Sequence, residues 1–302
     1  MSDIGSIDKY FDLDGKVALI TGGSRGLGLH TATVFLKAGA RKVIICARKA
    51  EGSQGIDQAV VKLNALANIK GIAVGLTANV AQEDGILKLV DEVKKTEQSL
   101  HILVANAGAT YGGPFESTPD SFIAKVLDLN VRGVFNLVKM YGKRPALRIL
   151  KEDSHLTCTP LLENAGTARD PARVIVVSSI AGTEVPHTGK NGTIIYSVSK
   201  AAAHHLTRNL AVELGPRNIT VNTVAPGFFP SKLANGIIAE LGGEEELRKE
   251  NPRGRLGIAE DIAGAMLFLA SPVANYMQVL LHGCSSSSFI PFIFLTTISE
   301  RS

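Results

Sequence analysis

The stretch Val17-Ala-Leu-Ile-Thr-Gly-Gly-Ser-Arg-Gly-Leu-Gly28 joins an apolar, β-branched run to a glycine-rich turn and the start of a helix-like segment. In a βα unit of this kind Gly22 permits a tight turn, Gly26 lets the backbone approach a pyrophosphate, and Gly28 lets the following helix pack on the sheet. Ser24, Arg25 and Leu27 complete the loop, and the free amides of the helix start favour an anion. A dinucleotide cradle is expected here.

Outward from this unit, apolar runs recur at Val43 to Cys46, Ile72 to Leu76, Ile102 to Ala105, Val174 to Val177 and Ile219 to Val224, separated by stretches long enough for crossover helices. That alternation predicts a Rossmann-type α/β fold, a doubly wound parallel sheet covered on both faces, in a single domain. The expected division is an N-terminal extension over 1–13, the Rossmann domain over 14–276, and an atypical tail over 277–302. The region from Tyr141 to Asp170 fits the alternation poorly, and 141–157 is expected to be an insertion.

The second strand ends Cys46-Ala47-Arg48, about 20 residues after the last loop glycine, where an acidic residue would hold the ribose hydroxyls of NAD. Ala47 supplies no carboxylate. Arg48 and Arg25 suit the 2′-phosphate of NADP(H) instead. Further along, Tyr196-Ser-Val-Ser-Lys200 sets a phenol and an ammonium four residues apart, on one helix face. The ammonium is expected to favour the ionised phenol, which suits proton transfer near neutral pH.

In these motifs and their order the chain resembles the short-chain dehydrogenase/reductase family over about Asp14 to Pro272. Besides the glycine loop it has Asn106-Ala-Gly108, Asn130, Ser178-Ser179, the Tyr196/Lys200 pair and Pro226-Gly227. The resemblance implies a tetrad. Ser179 orients the substrate oxygen, Tyr196 donates the proton as hydride reaches carbon, Lys200 holds the nicotinamide ribose and lowers the phenol pKa, and Asn130 steadies a water that reprotonates Lys200. Ser179 is preferred to Ser178 on the family pattern alone.

The same resemblance implies cofactor contacts from Asn106, Ala107 and Gly108 near the adenosine ribose, from Asn79 and Val80 near the adenine, and from Pro226 and Gly227 near the nicotinamide. Within the family, Glu163-Asn164, Asp170-Pro-Ala-Arg-Val174 and Ala225-Pro-Gly-Phe-Phe-Pro-Ser231 are similar to 3-oxoacyl reductases of the rhamnolipid-biosynthesis type and their fungal relatives. NADPH-dependent reduction of a 3-oxoacyl thioester, free or on a carrier, is the implied reaction, with Phe228 to Leu241 as part of a substrate lid. Another ketone or secondary alcohol, or a non-catalytic dinucleotide-binding isoform, are the alternatives.

Composition narrows the classes. The 302 residues are 45% apolar, and 32 basic against 28 acidic residues give a net charge of +4 without a dense basic run, which argues against nucleic-acid binding. Cys46, Cys158 and Cys284 lack ligand spacing, so isolated thiols and no metal site are expected. His204-His205 point different ways on a helix, which predicts a surface or interface role. Met1 to Asp14 shows no secretory signal, and Phe289 to Ile298 is short for a membrane span, so a cytoplasmic protein is expected.

Beyond Pro272 the sequence departs from the family. Gln278 to Leu281 is expected to keep a short last strand, but the family's Val-Asp-Gly-Gly ending is replaced by Ser285 to Ser288 and an apolar tail. A shifted reading frame or an alternative splice product would account for both the tail and the 141–157 segment. The resemblance implies a homodimer or homotetramer formed through helices around Asn130 to Met140 and Tyr196 to Leu214 and through the last strand, surroundings that the 141–157 segment and the tail alter.

Overall fold

Strands β1 (Val17–Thr21), β2 (Lys42–Ala47), β3 (Ile72–Thr77), β4 (Ile102–Ala105), β5 (Ala172–Val177), β6 (Ile219–Ala225) and β7 (Leu281–Gly283) form one parallel sheet in the order β3-β2-β1-β4-β5-β6-β7. The structure, a computed structural model, describes residues 5–139, 158–185, 187–231, 234–240, 242–278 and 281–283. The helices are α1 (Gly26–Lys37), α2 (Ile56–Asn64), α3 (Glu83–Lys94), α4 (Asp120–Leu127), α5 (Gly133–Val138), α6 (Cys158–Ala165), α7 (Ile194–Leu214), α8 (Asn235–Glu240), α9 (Glu244–Glu250) and α10 (Ala259–Ala270).

Strand alternation sorts the core into two layers. Val17, Leu19, Val174 and Val176 join the cluster built with α3, α5, α6 and α7. Ala18, Ile20, Ile175 and Val177 point the other way, into the cluster with α1, α2 and α10. Because both faces are covered, the strands read as continuous apolar runs rather than alternating ones.

The six internal runs expected from sequence each form a strand, extended by at most two residues at an end. The last strand differs. It spans Leu281–Gly283, pairing Thr223 with Leu281 and Val224 with His282, rather than Gln278 to Leu281. Gln278 instead uses its side chain: Oε1 accepts from Val221 N at 3.0 Å, and Nε2 donates to the Ala211 carbonyl at 2.6 Å. The amide thus occupies the edge of β6 where a strand backbone would otherwise pair.

The expected insertion over 141–157, and the tail from Cys284 onward, lie outside the described residues. Beside the former, α6 buries Cys158, Leu161 and Leu162, so 158–165 belongs to the regular fold. Cys46 and Cys158 are free and buried, and burial pushes both thiols up to about 12. Among the described residues no helix is long and apolar enough to cross a membrane, and no cluster of metal-ligating side chains occurs.

Candidate active site

Sequence order reverses about β1 and β4, so the loops that leave their carboxyl ends diverge and open a crevice at that edge. Thr21 and Asn106 hold its two sides together. Thr21 Oγ1 accepts from the amides of Asn106 and Ala107, both at 3.1 Å, and Asn106 Nδ2 donates to the Thr21 and Gly22 carbonyls at 2.8 and 3.1 Å. Asn106 therefore acts as a strut of the loop itself.

The loop fits a pyrophosphate on its own geometry. Gly22 and Gly26 have φ of +67° and +53°, the left-handed region. A Cβ on Gly28 would stand 2.5 Å from the Gly22 carbonyl oxygen, whereas one on Gly26 would meet nothing closer than 3.9 Å. The first glycine makes the turn, the last lets α1 close onto it, and the middle one leaves space for a ligand. The first turn of α1 carries no acidic residue and no side-chain cap, which leaves its amides available to an anion.

Around this loop, Arg25 is exposed and its Nη1 donates to Gln54 Oε1 at 2.7 Å, reaching toward the segment that follows β2. Arg48 is exposed at the start of that same segment. Ser24 and Leu27 are partly buried, with Leu27 against the α1-side core. Past β3, Asn79 Oδ1 accepts from Ala81 N at 3.3 Å, and Val80 is buried with its carbonyl 2.4 Å from where a Cβ on Gly133 would stand.

The tetrad residues come from three separate elements: the turn before α5, the end of β5, and α7, which carries both Tyr196 and Lys200. Residues 128–132 form a π turn between α4 and α5, which places Asn130 inward at 2% exposure. Its side chain brackets Ala109, accepting from the amide and donating to the carbonyl, both at 2.9 Å, and donates again to Ser199 Oγ at 2.9 Å. Asn130 Oδ1 and Lys200 Nζ lie 3.4 and 3.6 Å from where a Cβ on Gly108 would stand. Gly108 thus keeps a gap open between them.

Ser179 and Ser178, at the end of β5, take opposite directions. The Ser179 hydroxyl hydrogen-bonds with the Tyr196 phenol and accepts from Ala181 N at 3.2 Å. Ser178 is buried and donates to the Lys200 carbonyl at 3.0 Å, bolting β5 to α7. Lys200 is buried too, with Nζ donating to the Val177 carbonyl at 2.9 Å and lying 5.7 Å from the centre of the Tyr196 ring. Beside them, Ile180 N donates to the Pro226 carbonyl at 3.2 Å, so Pro226 and Gly227 join the same end of the crevice.

Charge in this site departs from one expectation. Burial pushes the Tyr196 phenol above its ordinary 10.0, with the Ser179 hydrogen bond partly opposing it, and burial brings Lys200 down from 10.5 to about 8. The net direction for the phenol is thus upward, the reverse of the lowering expected from the pairing, while the Lys200 amine donates to the Val177 carbonyl over the ring. The histidine pair also needs correction. His205 is exposed, but His204 is buried at 6% exposure, and burial, then the cations of Arg208 and Lys200, lowers it to about 4. A Cβ on Gly182 would stand 2.7 Å from its ring, so His204 fills the space behind the site.

A family sequence model described as enoyl-(acyl carrier protein) reductase matches residues 22–280. The chain belongs to the short-chain dehydrogenase/reductase family. The rhamnolipids biosynthesis 3-oxoacyl-[acyl-carrier-protein] reductase of Pseudomonas aeruginosa is 37% identical over 268 residues, which cover 89% of this chain and 94% of that protein. The trihydroxynaphthalene reductase PfmaI of Pestalotiopsis fici is 32% identical, covering 88% and 86%. Among solved structures, a Pseudomonas aeruginosa RhlG/NADP active-site complex matches with a TM-score of 0.77 at 35% identity, over 93% of this chain and 98% of that one.

Within this short-chain dehydrogenase/reductase, sequence reading missed the residues that hold the tetrad in place. Ser199 is fully buried, accepts from Asn130 and donates to the Tyr196 carbonyl at 2.7 Å. Ser197 Oγ donates to the Ala181 carbonyl at 2.5 Å. Both lie between Tyr196 and Lys200 or beside them in sequence. Two serines in that helical turn were a visible signal, since serine is a poor helix former without a back-bonding or tertiary partner.

Proposed function

We propose that this chain reduces the keto group of a 3-oxoacyl thioester to a hydroxyl with NADPH. The observation that carries the reading is the convergence of Ser179, Tyr196, Lys200 and Asn130 beside a glycine cradle with arginines, and no carboxylate, at the end of β2. The similarity to 3-oxoacyl reductases over nearly the whole chain supports the substrate class. NADPH, when bound, supplies hydride to the carbonyl carbon.

Gly22, Ser24, Gly26, Leu27 and Gly28 hold the pyrophosphate, Arg25 and Arg48 the 2′-phosphate. Asn79, Val80, Asn106, Ala107 and Gly108 line the adenosine side, and Pro226 and Gly227 the nicotinamide side. Tyr196 begins protonated, because burial keeps its phenol high, and gives its proton to the substrate oxygen. Ser179 holds that oxygen by a hydrogen bond. Lys200 is close enough to neutrality, at about 8, to pass a proton at physiological pH, and the gap beside Gly108 and Asn130 is where a water reaches it.

NADPH oxidation with acetoacetyl and longer 3-oxoacyl thioesters tests the reading. Turnover that falls about a hundredfold or more in Tyr196→Phe, with NADPH binding intact, is the expected result. The trihydroxynaphthalene reductase at comparable identity favours a second reading, another ketone, which turnover of cyclic ketones alone would support. A homodimer or homotetramer is part of the proposal: Phe135 on α5 and Val198 and Val212 on α7 are 45%, 53% and 59% exposed. Light scattering of the purified chain checks it.

A further inference from the structure

We infer that Lys125, backed by Phe122 and Tyr111, together with Lys190, forms a ledge at the mouth of the site that binds the phosphate on the pantetheine arm of the thioester. The inference rests on the thioester reading above. Tyr111 and Phe122 stack with ring centres 4.4 Å apart at 29°, and the Lys125 ammonium lies 5.3 Å from the centre of the Phe122 ring. A cation held on a ring face loses less freedom on meeting an anion than one waving in water.

The ledge is tied to the reacting groups by short links. Tyr111 lies three residues beyond Gly108, the glycine that faces Lys200 and Asn130. Gly113 N donates to the Gly192 carbonyl at 3.0 Å, and a Cβ on Gly112 would stand 3.6 Å from both the Thr193 methyl and the Asn191 carbonyl. Thr193 precedes the turn of α7 that carries Tyr196, and α4 packs along α7. Lys190, in the 3-10 turn Gly189–Asn191, is therefore beside the same loop.

Charge favours an anion at this spot. Lys125 and Lys190 are exposed, and among the described residues neither has a carboxylate within ion-pair distance. The nearest acid along the helix after Lys125, Asp128, is taken by Arg132 at 3.3 Å. A keto group delivered to Tyr196 sits at one end of a thioester whose other end carries phosphate, so aromatic faces followed by cations match the order of the ligand: an uncharged amide arm, then an anion.

The test compares acetoacetyl coenzyme A with the acetoacetyl thioester of N-acetylcysteamine, which lacks phosphate. Lys125→Ala and Lys125→Ala/Lys190→Ala are expected to raise KM for the coenzyme A thioester about three- to fivefold per lysine, with kcat unchanged and the phosphate-free substrate unaffected. Added salt should erode the preference in the wild-type chain and not in the double variant. Equal effects on both substrates, or none on either, overturn the ledge while leaving the thioester reading intact. Turnover of neither thioester, with reduction of a simple ketone, overturns both. A carrier-bound thioester separates the sources: a loss at least as large as with coenzyme A supports carrier-borne phosphopantetheine, and a loss confined to coenzyme A supports the free coenzyme.

Discussion

Lys200 buries its amine against a carbonyl and a ring face, with no acid in an ion pair to it among the described residues, and burial brings its pKa down to about 8. The folded value lies below the ordinary 10.5. Below both values the amine is charged in either state and its burial opposes folding; between them the unfolded chain binds more protons, so stability rises with pH. The wild-type chain without cofactor should gain about 2 kcal/mol between pH 8 and 10 relative to Lys200→Met, read by urea unfolding at the two pH values. Parallel pH dependence in the two proteins would sink the argument. At the cofactor rim, Arg48→Glu should cut the preference for NADPH over NADH about tenfold or more by placing a carboxylate where ribose hydroxyls would bind; kcat/KM with each cofactor measures it.

At the scale of elements, glycines in the same fold have opposite meanings. In Gly28→Ala the added methyl meets the Gly22 carbonyl, so a loss of about 1–3 kcal/mol and weaker NADPH binding are expected. Gly264 is exposed within α10 and a Cβ there meets nothing within 4 Å, so Gly264→Ala should stabilise by about 1 kcal/mol, having the better helix propensity. Thermal melts of both variants, with and without NADPH, check the contrast. The strand-turn-helix unit around Gly28 was legible because backbone conformation is local. The π turn at Asn130 was not, since one extra residue in a helix leaves no mark in hydrophobic period, and neither was the displacement of β7 by the Gln278 side chain.

Across the whole molecule, a polar clamp lies at the amino ends of the strands, opposite the crevice. Asp170 pairs with Lys16, just before β1, and with Arg173 of β5 at 2.8 Å; Arg173 also donates to Asn275 Oδ1 at 2.5 Å. Arg173 is 1% exposed, so removing its carboxylate partner leaves a buried cation short of compensation. Asp170→Ala should cost about 1–3 kcal/mol in chemical denaturation while leaving KM for NADPH unchanged. Burial raises the Asp170 carboxyl and its bonds to Lys16 and Arg173 lower it further, for a net depression. The stability it adds is therefore present above the ordinary carboxylate range and lost as pH falls through its lowered value, a dependence the variant should lack.

The amino-acid sequence by itself determined the doubly wound fold, the glycine cradle, the absence of an acid after β2 and the helical pairing of Tyr196 with Lys200. Each depends on neighbours within a few residues or on a repeating apolar period. Tertiary structure alone decided that Ser179 rather than Ser178 meets the phenol, that Asn130 locks Ala109 and Ser199, that His204 is buried, and that Lys200 donates to the Val177 carbonyl while lying over the Tyr196 ring. Those choices depend on how β5, the π turn and α7 pack together, and residues that meet across such distances carry no local signature of the meeting.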